Sequence, residues 1–339
     1  MNKILVTGGA GFIGSHTCVE LISSGFTPII VDNFNNSDRK IVDNINAISN
    51  SNVKVYEIDC NNKVDLQNVI KSEKGINGVI HFAAYKAVGE SVKEPLKYYL
   101  NNVGSLVTLL EVCKEYNIYN IVFSSSCTVY GQPDEACVTE STPIKKAESP
   151  YGNTKQICED ILTDYYKSGN NIKAALLRYF NPIGAHPSGL IGELPIGVPN
   201  NLVPFITQTA DGIREKLTVF GDDYNTLDGS CVRDFIHVVD LAKAHIAALK
   251  WLQNQNNSVI DTFNIGSGKG NSVLEAIKSF EKINDIKLNY TIGPRRKGDV
   301  EQIYANPEKA NNILNWKTEL DIDTSMKDAW NWQLNLKNW

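Results

Sequence analysis

Tyr151 and Lys155 stand four residues apart, a spacing that puts two side chains on one helical face a turn apart. An ammonium beside a phenol favours the phenolate. It can bring a pKa of about 10 towards neutrality, where tyrosine becomes a usable general base. About one Tyr-x-x-x-Lys is expected by chance at this tyrosine and lysine content, so position carries more weight than spacing. Upstream, Ser126 lies in the run Ser124-Ser125-Ser126-Cys127-Thr128, just past the apolar stretch 120–123. A hydroxyl there can meet the same reacting oxygen as Tyr151. The plainer reading is a capping serine and a surface tyrosine–lysine pair, and the ordered combination favours chemistry over it.

Such a centre needs a bound group beside it, and the N-terminal stretch offers the place. Residues 3–7 are an apolar run without alternation, as in a strand buried on both faces of a parallel sheet. Gly8, Gly11 and Gly14 follow, three and three apart, then a helical pattern with Ile13, Thr17 and Leu21 on one face. A second apolar run, Ile29-Ile30-Val31, stops at Asp32. Strand, glycine turn, helix, strand and terminal acid make a βαβ unit suited to a dinucleotide. Glycine lets backbone approach the pyrophosphate, and the helix start offers unpaired N–H groups and a positive dipole end. Asp32 would accept hydrogen bonds from the adenosine ribose and repel a 2′-phosphate, favouring NAD over NADP. The polar segment Asn33-Phe34-Asn35-Asn36-Ser37 could fold over an adenosine. A positive nicotinamide ring would also favour the Tyr151 phenolate.

The elements that must position these groups follow in rhythm. Strands are expected at 53–58, 78–84, 120–123, 173–179 and 262–265. Between them come a helix marked by Leu66, Val69 and Ile70, and a long helix over 95–116. Another is opened by Ser149 as N-cap and Pro150 in the first turn. This alternation predicts an α/β, Rossmann-type doubly wound parallel sheet over residues 1–180. Residues 181–339 would form a smaller α/β lid for substrate, with elements of about 236–265 returning to the sheet. The proline- and glycine-rich segment 181–204 reads as a functional loop. His81 reads as a packed histidine rather than a catalytic one. Gly266-Ser267-Gly268-Lys269-Gly270 lacks phosphate-loop spacing and reads as a turn before a helix capped by Ser272.

Composition narrows the function classes. The 339 residues are 42% hydrophobic and 21% charged, with net charge −5 and pI about 5.6. No basic run resembles a nucleic-acid footprint, and no apolar stretch reaches membrane length. The first strand follows Met1 so closely that no signal peptide is expected. Seven cysteines without a Cys-x-x-Cys pair, and five histidines without His-Glu-x-x-His, speak against disulfides and bound metal alike. The expectation is a reduced, cytoplasmic enzyme without metal.

Gly8 to Gly14, Ser126, Tyr151 and Lys155 together resemble the extended short-chain dehydrogenase/reductase family. Longer stretches resemble its UDP-galactose (UDP-glucose) 4-epimerases. They are His81-Phe-Ala-Ala-Tyr-Lys86 with Ala87-Val-Gly-Glu-Ser91, Ser124-Ser-Ser-Cys-Thr-Val-Tyr-Gly131 and Leu177-Arg-Tyr-Phe-Asn-Pro-Ile-Gly-Ala-His-Pro-Ser-Gly189. Further on come Pro199-Asn-Asn-Leu202, Arg233-Asp-Phe-Ile-His237 and Arg295-Arg-Lys-Gly-Asp299. The resemblance implies cofactor contacts at Phe12, Ile13, Asp32 to Ser37, Asp59, Cys60, Phe82, Ala83, Ala84, Lys86, Asn101 and Phe180, beside Ser126, Tyr151 and Lys155. It implies UDP-sugar contacts at Lys86, Ser126, Tyr151, Tyr179, Asn181, Asn201, Leu202, Thr218, Val219, Phe220, Arg233, Arg296 and Asp299. Ile303 would border the sugar's 2-substituent. The implied reaction inverts C4 of the hexose through a 4-keto sugar, with NAD tightly held. The implied assembly is a homodimer through the 95–116 and 151–167 helices, with Leu106, Leu110, Ile157 and Ile161 at the interface. Ala84-Tyr85 replaces the epimerases' usual Gly-Leu, and Cys127 replaces an alanine. The rivals are a 4,6-dehydratase, which would need an Asp-Glu pair where Cys127-Thr128 stand, and a non-catalytic NAD-sensing module.

Overall fold

The computed structural model describes residues 2–296 and 299–339; Met1 lies outside them, as do Lys297 and Gly298 of the Arg295–Asp299 motif. Helices and strands alternate from the start: β1 (Asn2–Thr7), α1 (Phe12–Ser23), β2 (Phe26–Asp32), α2 (Lys40–Ser49), β3 (Lys54–Glu57), α3 (Lys63–Ser72) and β4 (Ile76–His81). Next come α4 (Val88–Lys93), α5 (Pro95–Tyr98), a π turn at Tyr99–Val103, α6 (Gly104–Glu115), β5 (Asn120–Ser124), β6 (Cys137–Val138), α7 (Pro150–Lys167) and β7 (Lys173–Tyr179). The rest comprises β8 (Asn181–Ile183), α8 (Leu202–Ala210), β9 (Leu217–Phe220), β10 (Val232–His237), α9 (Val238–Gln253) and β11 (Val259–Ile265). It ends with β12 (Gly270–Ser272), α10 (Val273–Asn284), β13 (Tyr290–Gly293), β14 (Gln302–Ala305), α11 (Glu308–Ile313) and α12 (Ile322–Asn335).

Seven parallel strands form the main sheet in the order β11-β7-β5-β4-β1-β2-β3. Successive strand residues point to opposite faces, and both faces are covered. Ile4, Val6, Ile30, Ile80 and Val122 pack into one core with Cys18 and Leu21 of α1 and Leu249 of α9. Leu5, Ile29, Val31, Val79 and Ile121 pack into another with Leu66, Leu109 and Leu162 of α3, α6 and α7. That is why the strands read as unbroken apolar runs, each buried aliphatic side chain contributing about 1.5–3 kcal/mol. The chain runs outward from β1 through β2 to β3, then restarts at β4 on the other side of β1. At that reversal the connections leave in opposite directions and a crevice opens past the strands' carboxyl ends.

A second sheet, β12-β10-β14-β6 with β8 beside β10, is built from the C-terminal half plus β6 of the N-terminal part, which pairs with β14, and β13 pairs with β9. β11 returns to the main sheet, pairing with β7 from Val259↔Lys173 to Ile265↔Tyr179, and α9 packs against α1. Among the described residues no helix is long and apolar enough to cross a membrane.

Two expectations need correction. The long helix over 95–116 is broken by the π turn, where Asn102 turns inward. Its Nδ2 donates to Tyr85 O (3.0 Å) and Thr154 Oγ1 (3.1 Å), and its Oδ1 accepts from Tyr85 N (2.9 Å). A single side chain thereby ties the segment after β4 to α7. Leu106 and Leu110 are buried in the chain's own core rather than left for a partner. The neighbouring stripe, Leu96, Leu100 and Val107, is the one that stays exposed.

Candidate active site

One cavity runs over the β1/β4 reversal. It is lined by Gly8, Gly11, Phe12, Ile13 and Gly14, by Asp32, Asn33, Asn35, Asn36 and Ser37, by Asp59 and Cys60, and by Phe82, Ala83, Ala84 and Lys86. Asn101, Tyr151, Lys155 and Tyr179 complete it, together with Val31, Ile58, Asn61, Tyr85, Ser105 and Ser124, which sequence reasoning did not single out. Phe34 is not among the lining residues. Its φ is 55°, its N–H donates to Asp32 Oδ1 at 2.9 Å, and its ring packs on the main core beneath the Arg39 guanidinium, 4.8 Å away.

The glycines divide the work. A Cβ on Gly8 would meet Ala83 N at 2.8 Å, and one on Gly14 would collide with Gly8 O, so both serve close packing. A Cβ on Gly11 would find only Gly8 O, at 3.2 Å, and otherwise fill open space. Gly11 is also the N-cap of α1, with no side-chain cap and no acid in the first turn. The helix start is therefore unneutralised towards the cavity, which fits a dinucleotide pyrophosphate. At the end of β2, Asp32 is held by Ala10 N (3.0 Å), Phe34 N (2.9 Å) and Ser37 Oγ (2.9 Å). A fixed carboxylate with acceptor capacity left fits ribose hydroxyls. The residues present suit NAD.

Tyr151 and Lys155 are both buried on the first turns of α7, which Ser149 caps by accepting from Gly152 N at 3.1 Å, with Pro150 in the first turn. Ser126 stands beside the phenol. It also caps the short turn after β5, accepting from Thr128 N (3.2 Å) and Thr128 Oγ1 (3.0 Å). The phenol departs from expectation. Burial raises Tyr151 well above the usual tyrosine value, reinforced by Tyr179, with the Ser126 hydroxyl acting the other way. Lys155 instead donates to Ser124 O at 2.7 Å, and burial pulls it down to about 8. The chain by itself thus disfavours both charged forms. Any phenolate must be drawn out by the charge of bound groups. His81 is neutral, pushed down to about 3 by burial and then by Lys155, and its Nδ1 lies 2.7 Å from Thr7 Oγ1.

The C-terminal half brings other groups together. Asp299 accepts from Arg296 Nε (3.1 Å) and Nη2 (2.7 Å), and Arg233 Nη2 lies 3.9 Å from it. Two guanidinium groups share one carboxylate, leaving net positive charge. Arg296 also lies over the Phe220 ring, 5.6 Å away. On β9, Thr218 and Phe220 face outward, whereas Val219 is buried in the C-terminal core and could offer only its backbone. Asn201 stands just before α8, beside Leu202, without a side-chain capping bond, and donates to Glu193 Oε1 (2.6 Å), which also takes Lys86 Nζ (2.7 Å). Asn181 sits in β8, opposite Phe235. Phe180 and Ile303 are buried in one cluster with Val129, Tyr130 and Val138, and Ile303 is the register partner of Arg233. Of this half's expected contacts, none lines the cofactor cavity; of the expected sugar contacts, Tyr179 at the end of β7 does, with Lys86 and Tyr151.

The family model described as GDP-mannose 4,6 dehydratase matches residues 5–329. UDP-glucose 4-epimerase 2 of Arabidopsis thaliana is 48% identical over 336 residues, covering 98% of this chain and 95% of that protein. A bifunctional protein of Pachysolen tannophilus is 49% identical over 338 residues, but the chain spans only 49% of its length. The crystal structure of UDP-glucose-4-epimerase from Stenotrophomonas maltophila, with bound NAD and formylated UDP-arabinopyranose, superimposes with a TM-score of 0.96 at 43% identity, covering 100% and 99% of the two chains. With a dinucleotide turn, a buried Ser–Tyr–Lys group and kinship over nearly its whole length, the chain belongs to the UDP-glucose 4-epimerase family of extended short-chain dehydrogenases/reductases.

Proposed function

We propose that the chain inverts C4 of a UDP-hexose, interconverting UDP-galactose and UDP-glucose with NAD as resident cofactor. The observation that carries this is that Tyr151 and Lys155 open into the same cavity as the uncapped α1 start and Asp32. The relatives' shared name, and the NAD and UDP-sugar in the Stenotrophomonas structure, support it.

The α1 N–H groups at Phe12 and Ile13 would hold the pyrophosphate, Asp32 the ribose, and Asn33 to Ser37 with Asp59 and Cys60 the adenosine end. Phe82 to Ala84, Lys86, Asn101 and Phe180 would border the nicotinamide end. When bound, NAD supplies the hydride acceptor and donor that inversion at carbon needs. Tyr151 Oη takes the proton of the 4′-hydroxyl and later returns it, while Ser126 Oγ holds the same oxygen. The Lys155 ammonium stabilises the phenolate in a site where burial magnifies each charge. Arg233 and Arg296 bind the diphosphate, the geometry for which guanidinium is suited. Asn181, Asn201, Leu202 and the 218–220 strand would hold the uridine side, leaving the sugar free to present either face. The N-terminal 1–180 and C-terminal 181–339 parts act as cofactor and substrate lobes.

Dehydration, the chemistry named in the family model, needs an acid after the active-site hydroxyl. Cys127 and Thr128 hold that place, with the Cys127 thiol raised to about 12 by burial, so neither carries a carboxyl proton. We further propose a cytoplasmic homodimer, supported by the free cysteines and the exposed Leu96, Leu100 and Val107 stripe. Product analysis tests the reading: UDP-galactose should yield UDP-glucose, and a 4-keto-6-deoxy sugar would establish dehydration instead.

A further inference from the structure

Glu159 has no part in the chemistry above, yet it lies on α7 one turn beyond Lys155 and two beyond Tyr151, on the same buried face. Its carboxylate is fully engaged. Arg178 of β7 donates from Nε (3.0 Å to Oε1) and Nη2 (2.6 Å to Oε2), and Ser125 Oγ donates to Oε1. The guanidinium continues the chain, with Nη1 donating to Tyr130 Oη at 3.1 Å and Tyr130 Oη donating to Asn264 Oδ1 of β11 at 2.6 Å. The two charged side chains are only 6% and 7% exposed.

Ser125 connects this pair to the reacting groups. On one side is Ser124, whose carbonyl takes Lys155 Nζ and whose Oγ donates to Tyr179 Oη at 3.0 Å. On the other is Ser126, which stands beside the Tyr151 phenol. A buried ion pair is weak evidence for stability, because desolvation offsets its attraction and an apolar pair often does as well. An apolar pair, however, could not grip a serine hydroxyl or place a charge here.

We propose that the Glu159–Arg178 pair, acting through Ser125, is a positioning unit for the epimerisation: it fixes the end of β5 against α7 and sets a negative charge one turn from the Lys155 ammonium. This rests on the function proposed above. The groups around Lys155 are His81 from β4, Cys158 and Glu159 of α7, the Phe123 ring of β5 at 5.0 Å, and the phenols of Tyr151 and Tyr179 in the shared cavity. His81 is held neutral, and burial keeps the Cys158 thiol and both phenols protonated. Glu159 is the anion of the set, and it opposes the loss of charge on Lys155.

The test uses full-length holoenzyme carrying Glu159→Met with Arg178→Met, and separately Ser125→Ala. The paired change should lower kcat for UDP-galactose about tenfold or more with KM within about twofold, the pattern of displaced reacting groups. The Lys155 titration, followed by NMR of labelled lysine and assigned with Lys155→Arg, should move down by about half a pH unit or more. Ser125→Ala should lower kcat in the same way while leaving that titration in place. A lower unfolding midpoint with unchanged kcat and unchanged Lys155 titration would overturn the proposal. If the paired variant does not fold, kcat of Ser125→Ala decides. If the unmodified protein fails to convert UDP-galactose, the epimerase reading falls, and the Lys155 titration still decides this one.

Discussion

Burial acts on the two reacting side chains in opposite senses, lifting Tyr151 and lowering Lys155 to about 8. The sign of the pH dependence follows. As pH rises through about 8 the lysine loses the charge that steadies the phenolate, so kcat/KM of the unmodified enzyme should decline there. Tyr151→Phe should keep folding and UDP binding while turnover falls by at least about 10²-fold. Lys155→Met should lower turnover, abolish the alkaline decline and displace the profile to higher pH. Near-normal rates in either variant, measured across pH 6–10 (roughly), would rule out these roles. We further propose that Ile303 bears on sugar choice, as the family resemblance implies. Buried, β-branched and in register with Arg233, it is stiff at χ1 and gives an amide no hydrogen-bond partner. UDP-galactose should therefore be preferred over UDP-N-acetylgalactosamine. Ile303→Gly should raise the N-acetyl to parent ratio of kcat/KM about tenfold or more; equal kcat/KM for both sugars before mutation would refute the reading.

At the scale of elements, Asn102 decides how the segment after β4 is carried past the cavity. Removing its amide leaves the half-buried Tyr85 N–H and C=O without their partner, where an unpaired group costs up to about 1–3 kcal/mol when fully buried. Asn102→Ala should lower unfolding free energy by about 2 kcal/mol or more in urea titration and weaken dinucleotide retention; a change under about 0.5 kcal/mol would contradict it. This clamp was not legible in the sequence, because a π turn inside an apolar helical stretch has no periodic signature of its own. Local signals were legible. Gly8 to Gly14 with Asp32 marked the turn, and Ser149-Pro150 and Ser272 marked helix starts, the latter closing a capping box with Glu275. The two-residue β6 is too short for a period, and its pairing with β14 lies in distant sequence. The helix over 95–116 carried two adjacent apolar stripes, and spacing alone does not say which one the chain's own sheet covers. Phe34 turned away from the cavity because Asp32 captured its N–H, a backbone event invisible in residue types.

For the whole molecule, the parallel sheet gathers one cavity from the ends of β1, β2, β4, β5 and β7, and the C-terminal half brings two arginines onto one carboxylate. The exposed Leu96, Leu100 and Val107 stripe should seat a second copy. Light scattering at micromolar concentration should give twice the chain mass, and Leu100→Lys should reduce it to one; a monomer before mutation would remove the proposal. The central claim is that the chain holds its own NAD and inverts C4 of a UDP-sugar, and one measurement reaches it directly. Purified protein, gel-filtered and given UDP-galactose with no added dinucleotide, should form UDP-glucose over many turnovers and release NAD, not NADP, at about one per chain on denaturation. Absence of UDP-glucose while NAD is bound, or turnover that depends on added NADP, would contradict it.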